Sequence, residues 1–358
     1  MRIATVIGNR PQFVKAAAVS RALRRRHEEL LVHTGQHYDD ALSAVFFAEL
    51  EVPAPHHQLG LGTGTNAEQT ARMLAVLAPL LERERPDVVL VYGDTNSTLA
   101  GGLAAAQAGL SVAHVEAGMR SFDPTMPEER NRVLTDRLAE LLLCSSDVAV
   151  ENLRREGVAG QVELVGDVMV DVALLFGPRA EQHTQTLARL GVSAGEYVLA
   201  TAHRAGNVDD PGRLALLVTL LAELPAPVVL PLHPRTRERL LAAGLLGELA
   251  ARVTVTEPLG YLEFTALLRH ARAVATDSGG VQKEAYLAGV PCITLRSSTE
   301  WVETVQSGWN VLVDLDAAAA RAALERAVPV QRPALYGDGH AAERVVAALE
   351  RFVEERAP

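Results

Sequence analysis

The sequence predicts an α/β protein built as two doubly wound parallel-sheet halves, and three observations carry that prediction. Short β-branched apolar runs alternate with longer helical stretches along most of the chain. Its 358 residues suit two domains of ordinary size. Small or polar residues follow strand after strand, where open parallel sheets bind their ligands.

The first run, Ile3 to Ile7 in RIATVIG, stops at Gly8, and Asn9, Arg10, Pro11 and Lys15 then precede an alanine-rich helical stretch. Cations at a helix start oppose the macrodipole, so a negative partner is expected there. ELLVHTG, DVVLVYG and SVAHVEAG continue the first half, and YVLATAH, PVVLPLH, RAVATDSGG and PCITLRS build the second. Such alternation implies parallel sheets, because the crossover helices must cover the sheet faces. The stretch from Gly166 to Tyr197 is helical but richer in glycine and polar residues, with Pro178 inside it, and it reads as the connection. The expected division is therefore a first domain over 1–167 and a second over 168–339. In the last stretch, 340–358, Val345, Val346, Leu349, Phe352 and Val353 recur at helical spacing and predict a helix docked on the first domain.

Composition narrows the function classes. The chain is 48% hydrophobic and 22% charged, with a formal net charge of −10 and acidic residues mixed with arginine throughout, which disfavours nucleic acid and anionic membranes as partners. Cys144 and Cys292 lie far apart at the ends of apolar runs and read as buried thiols in a reducing compartment. The N-terminal apolar run is too short for a signal sequence and no segment approaches a membrane span, so the expected location is cytoplasmic. Neither a metal nor an organic cofactor is expected.

The strand ends carry the candidate site. Gly93-Asp94-Thr95-Asn96-Ser97 follows one strand and Glu116-Ala117-Gly118 the next; His203-Arg204, His233-Pro234-Arg235 and Asp277-Ser278-Gly279-Gly280 follow strands of the second half. Two such sheets facing each other would put these groups on one cleft. Each has a plainer reading: Asp94, Asn96 and Ser97 suit helix caps, and Glu128 with Glu129 after Pro127 suit first-turn acids. TDSGGVQKEA is the sharpest signal, because free N–H groups at its helix start suit a phosphate and Glu284 stands one turn along to accept from sugar hydroxyls. Arg10, Lys15, His203 and Arg204 would add the cationic or donor groups that a diphosphate leaving group requires.

GNRPQFVKAA, TGQH, VYGDTNST, HVEAGMRS, MPEERNR, HRAGN, LHPRT, TDSGGVQKEA and STEWVE together resemble the ordered motifs of the non-hydrolysing UDP-N-acetylglucosamine 2-epimerases over nearly the whole chain. The resemblance implies two Rossmann-like domains in a GT-B arrangement, a homodimer, and interconversion of UDP-N-acetylglucosamine with UDP-N-acetylmannosamine, supplying a precursor for cell-surface polysaccharide. It implies UDP elimination to 2-acetamidoglucal and re-addition, with Asp94, Glu116 and Glu128 as acid/base carboxylates and His203 as a catalytic or phosphate-contacting group. Carboxylates gathered near an anionic substrate raise one another's pKa, which would give a proton store. Arg10, Lys15, Ser278, Gly279, Gly280 and Glu284 match nucleotide-contacting positions, and Phe264 matches a residue beside the uracil.

The chain departs from the family pattern at Asn9 and Gln12, where GTRPE is usual, at Trp301 and Val302, where TERPE is usual, and at Gly206. The arginine missing at Trp301 bears on one phosphate or sugar contact. Some members bind a second substrate molecule as activator through a glutamine pair; here Gln36 remains but Asp39 stands at the second place, so that site is expected to be absent. The alternative substrate is a UDP-diacetamido-uronic acid, whose carboxylate calls for an extra cation such as Arg120 or Arg296. A GT-B glycosyltransferase fits less well, since it needs an acceptor groove and not three carboxylates around one carbon. A hydrolysing epimerase and a catalytically silent nucleotide-sugar sensor are disfavoured, the latter by the intact Asp94, Glu116, Glu128 and His203.

Overall fold

The computed structural model describes residues 1–36 and 40–356, the side chains of 40–44 excepted. The chain forms two compact units, residues 1–175 with 334–358 and residues 176–333. The first carries strands β1 (Arg2–Ile7), β2 (Glu28–His33), β3 (His57–Gln58), β4 (Val88–Tyr92), β5 (Val112–Ala117), β6 (Leu141–Cys144) and β7 (Gln161–Leu164). They pair in the order β3-β2-β1-β4-β5-β6-β7, every pairing parallel. The second carries β8 (Val198–Thr201), β9 (Val228–Pro231), β10 (Thr254–Thr256), β11 (Ala273–Thr276), β12 (Cys292–Thr294) and β13 (Asn310–Leu312). Their order is β10-β9-β8-β11-β12-β13, again all parallel.

Both sheets thus reverse direction beside their first strand, at β1/β4 and at β8/β11, and such switch points open a crevice at the carboxyl ends of the strands. The central strands are buried on both faces, as their near-continuous Val, Ile, Leu and Ala content requires. No described helix is long and apolar enough to cross a membrane.

The division between units falls after Leu175, eight residues beyond the Asp167 expected from composition. The reason is hydrogen bonding: Asp167 N–H donates to Tyr336 O at 2.9 Å, and the buried Asp171 carboxylate accepts from Ala341 N–H and Ala342 N–H at 3.1 and 2.9 Å. Asp171 therefore caps the C-terminal helix Ala341–Glu354, whose own N-cap, His340, offers no side-chain bond. That helix buries Val345, Val346, Leu349 and Phe352 and belongs to the first unit.

Candidate active site

In the first unit, the turn after β1 is shaped by close packing. A Cβ at Gly8 would overlap Ser97 Oγ and Thr34 Oγ1, so only glycine fits. Asn9 caps the helix Arg10–Leu23, its side chain accepting from Gln12 N–H at 3.2 Å. Gln12, the departure from the family's glutamate, is buried and fully bonded: Oε1 accepts from Gly8 N–H at 2.7 Å, and Nε2 donates to Tyr92 O and Thr98 Oγ1, both at 2.9 Å. An ionised glutamate has no donor for the Tyr92 carbonyl, so this turn is built for the amide.

The question raised by cations at this helix start has a partial answer in the structure. Lys15 pairs with Glu116, both side chains largely buried. Arg10 lays its guanidinium over the Phe46 ring at 5.4 Å. Glu116 itself occupies left-handed backbone, φ +71°, where the pairing register of β5 with β6 shifts between Val115 and Ala117. A non-glycine residue in that region is strained, and such strain concentrates at functional sites.

Asp94 follows β4, and Thr95, not Asp94, Asn96 or Ser97, caps the helix Asn96–Gln107, in a reciprocal box with Thr98. Asp94 instead pairs with Arg132, a fully buried cation whose Nη1 also meets Glu129 Oε2 at 2.9 Å. Glu129 anchors the loop after β5, accepting from Ser121 N–H and Oγ–H at 2.9 Å and from Phe122 N–H at 3.0 Å. Glu128, half-buried in the first turn of the helix Pro127–Leu138, has no hydrogen-bond or ion-pair partner among the described residues. Asp94 and Glu116 thus each face a cation, a different arrangement from carboxylates set against one another.

In the second unit, Asp277 is the organiser. Fully buried at the end of β11, it accepts from His203 N–H at 3.1 Å, from Arg204 N–H at 3.0 Å and from Asn207 Nδ2 at 3.2 Å. This ties the turn after β8 to the turn after β11 across the switch point, and leaves the His203 ring 40% exposed and stacked on His233 at 5.3 Å. Ser278 is the N-cap of the helix Gly279–Ala288 but makes no side-chain cap bond. A Cβ at Gly279 would overlap Glu300 Oε1, so the helix start lies directly against that carboxylate. Gly280 and Glu284 are half-buried on the same helix, and Phe264 packs half-buried against the apolar cluster around Leu267.

Trp301 stands where the family pattern has an arginine, and its buried ring covers the buried Lys283 ammonium at 4.0 Å. Nothing in the structure explains Gly206, which is exposed with open space at its Cα. Gln36 accepts from Ser97 N–H at 3.0 Å and Oγ–H at 2.7 Å, so it holds the helix after β4; Asp39 lies outside the described residues. Arg120 and Arg296, considered as cations for a uronic acid, are both committed: Arg120 to Asp136 and Glu156, each at 2.7 Å, and Arg296 to Glu300 at 2.9 Å. Among the described residues no group of three or more His, Cys, Asp or Glu is placed to hold a metal.

Arg132, Asp136 and His114 are the important groups not singled out from sequence. His114 opens the HVEAGMRS motif and Arg132 closes MPEERNR, and Asp136 lies one turn beyond Arg132 on the same helix, so the signal was their place within or beside motifs already quoted.

Parallel doubly wound sheets with Asp94 just past β4, Glu116 at the end of β5 and a helix starting just past β11 define a class: α/β proteins whose polar groups gather at the carboxyl ends of their strands, where open sheets of this kind bind ligands. Similarity to known proteins narrows it. The family model described as UDP-N-acetylglucosamine 2-epimerase matches residues 21–350. The chain is 47% identical to the UDP-2,3-diacetamido-2,3-dideoxy-D-glucuronate 2-epimerase of Pseudomonas aeruginosa, over 98% of this chain and 100% of that protein. The crystal structure of Methanocaldococcus jannaschii UDP-GlcNAc 2-epimerase in complex with UDP-GlcNAc and UDP matches at TM-score 0.93 and 40% identity, covering 98% of this chain and 100% of that one. The Neisseria meningitidis UDP-GlcNAc 2-epimerase bound to UDP-GlcNAc matches at TM-score 0.87 and 28% identity, with the same coverage. This chain belongs to the UDP-N-acetylglucosamine 2-epimerase family, isomerases that act on nucleotide sugars.

Proposed function

We propose that this protein interconverts UDP-N-acetylglucosamine and UDP-N-acetylmannosamine by eliminating UDP and adding it back. The observation that carries the reading is the pair of carboxylates, Asp94 and Glu116, leaving the ends of adjacent central strands, each met by one buried or nearly buried cation. The C2 proton of the sugar is not acidic, so the C1–O bond breaks with loss of UDP while a carboxylate takes the C2 proton, leaving 2-acetamidoglucal. UDP then returns to C1 as a proton is delivered to the other face of C2. Asp94, Glu116 and Glu128 supply these acid and base roles. In the second unit, the first N–H groups of the helix Gly279–Ala288, whose N-cap Ser278 makes no side-chain bond, carry the diphosphate with His203 and Arg204. Glu284 and Phe264 serve the nucleoside end. The same reading takes the active form as a homodimer in the cytoplasm, feeding polysaccharide synthesis.

A second substrate, UDP-2,3-diacetamido-2,3-dideoxy-D-glucuronate, is favoured by the 47% identity to the Pseudomonas aeruginosa enzyme. Against it stands the commitment of Arg120 and Arg296 to internal carboxylates, which removes the two cations proposed for a C6 carboxylate.

Incubation with each nucleotide sugar in D2O, followed by NMR, tests the proposal. The manno epimer of UDP-N-acetylglucosamine should appear with deuterium at C2. Turnover of the diacetamido-glucuronate alone would transfer the assignment to that sugar, and absence of C2 exchange with both would refute the epimerase reading.

A further inference from the structure

We propose that His114, oriented by Asp136, is a positioning residue for the two carboxylate-bearing turns of the first unit, an inference that rests on the epimerase reading above. His114 lies inside β5, completely buried, two residues before Glu116. Its Nε2 meets Gly93 O at 2.7 Å, and Gly93 immediately precedes Asp94. A carbonyl only accepts, so Nε2 carries a proton and donates it. Its Nδ1 meets Asp136 Oδ1, also at 2.7 Å.

Asp136 is equally buried, and its second oxygen accepts from Gly118 N–H at 3.1 Å and faces Arg120 Nη1 at 2.7 Å. Burial opposes its charge, but the hydrogen bond and charge of His114 and of Arg120 outweigh that and hold the carboxyl below the usual range. Arg120 is anchored in turn by Glu156 through Nε at 2.7 Å and Nη2 at 2.8 Å. Asn152 Nδ2 donates to Gly118 O at 3.0 Å.

The network therefore grips both sides of the chemistry. One end fixes the peptide leading into Asp94; the other fixes Gly118, two residues past the strained Glu116. Gly93 N–H donates to Val115 O at 3.0 Å, so the two turns are also bonded to each other. A buried polar chain with each described bond formed is costly to disturb, and a shift of about 1 Å in reacting groups lowers turnover by roughly two powers of ten.

The test uses the full-length chain with His114→Gln, Asp136→Asn and the double variant. In His114→Gln the amide N–H reaches for Gly93 O, but its oxygen is turned on the Asp136 carboxylate. In the double variant the amide introduced by Asp136→Asn can donate to that oxygen while its own oxygen still accepts from Gly118 N–H. Expected results are a fall in kcat of about 10- to 100-fold for His114→Gln, UDP affinity by calorimetry within about twofold of wild type, and recovery of about tenfold in the double variant. Loss of UDP affinity matching the loss of kcat, or a double variant no better than His114→Gln, overturns the proposal. Nitrogen-15 NMR of the wild-type histidines supplies a readout independent of turnover: His114 Nε2 must resonate as a protonated nitrogen, and an unprotonated Nε2 also overturns it. A wild type that epimerises neither sugar sinks the epimerase reading, and the NMR result then still decides whether the described hydrogen-bond geometry exists.

Discussion

Arg132 is the residue through which Asp94 is held, and replacing it with methionine separates stability from chemistry. The side chain is among the largest fully buried ones, and its guanidinium joins Asp94 to Glu129. Removing one partner of a buried ion pair costs about 3–5 kcal/mol when the remaining charge is stranded. Here neither carboxylate is fully stranded. Glu129 keeps three donors, Ser121 N–H, Ser121 Oγ–H and Phe122 N–H, and Asp94 is 33% exposed, so water takes over part of its solvation. The expected loss is therefore lower, about 2–3 kcal/mol. If Asp94 acts as proposed, turnover should fall further than stability suggests, by roughly 100-fold, because the carboxylate is freed to rotate away from the position Arg132 holds it in. Urea unfolding by circular dichroism measures the first quantity. Both tryptophans, Trp301 and Trp309, lie in the second unit, so their fluorescence gives a separate record there. Turnover with UDP-N-acetylglucosamine, assayed well below the unfolding transition, measures the second. Arg132→Lys keeps the charge but loses the fork that spans two carboxylates, and should fall between the two proteins. An Arg132→Met protein that unfolds at the wild-type urea concentration and turns over within about twofold of wild type would refute this account of Arg132.

Three further outcomes follow from the same structure. Because the folded Asp136 carboxyl lies below its unfolded value, its contribution is present above about pH 4 and is lost as pH falls through the folded pKa; acid titrations should show Asp136→Asn losing stability less steeply below pH ~4 than wild type. Trp301→Arg, which restores the family's residue, sets a cation against buried Lys283 and should cost roughly 2–4 kcal/mol at an effective dielectric near 20, read as a lower Tm; an unchanged or higher Tm contradicts the packing argument. Burial pushes the Cys144 and Cys292 thiols up to about 12, so iodoacetamide at pH 8 should label neither in the native protein and both in denaturant; rapid native labelling would show that these sites open.

The parallel sheets were legible in the chain because strand and helix periods are local properties. A β-branched run followed by an amphipathic stretch has few alternatives to a crossover connection, and the polar residues past β4, β5, β8 and β11 are adjacent in sequence to the strands that position them. Ordered motifs such as HVEAGMRS and TDSGGVQKEA carried the family for the same reason. What each side chain meets was decided elsewhere. Lys15 reaches Glu116 across 101 positions, His203 N–H reaches Asp277 across 74, and Asp171 caps a helix that begins 170 residues later. Those partnerships depend on which strands lie side by side and on which groups burial leaves no choice but to pair. Arg120 and Arg296 read in sequence as available cations; only the folded chain, by excluding water from them, consigned them to Asp136, Glu156 and Glu300.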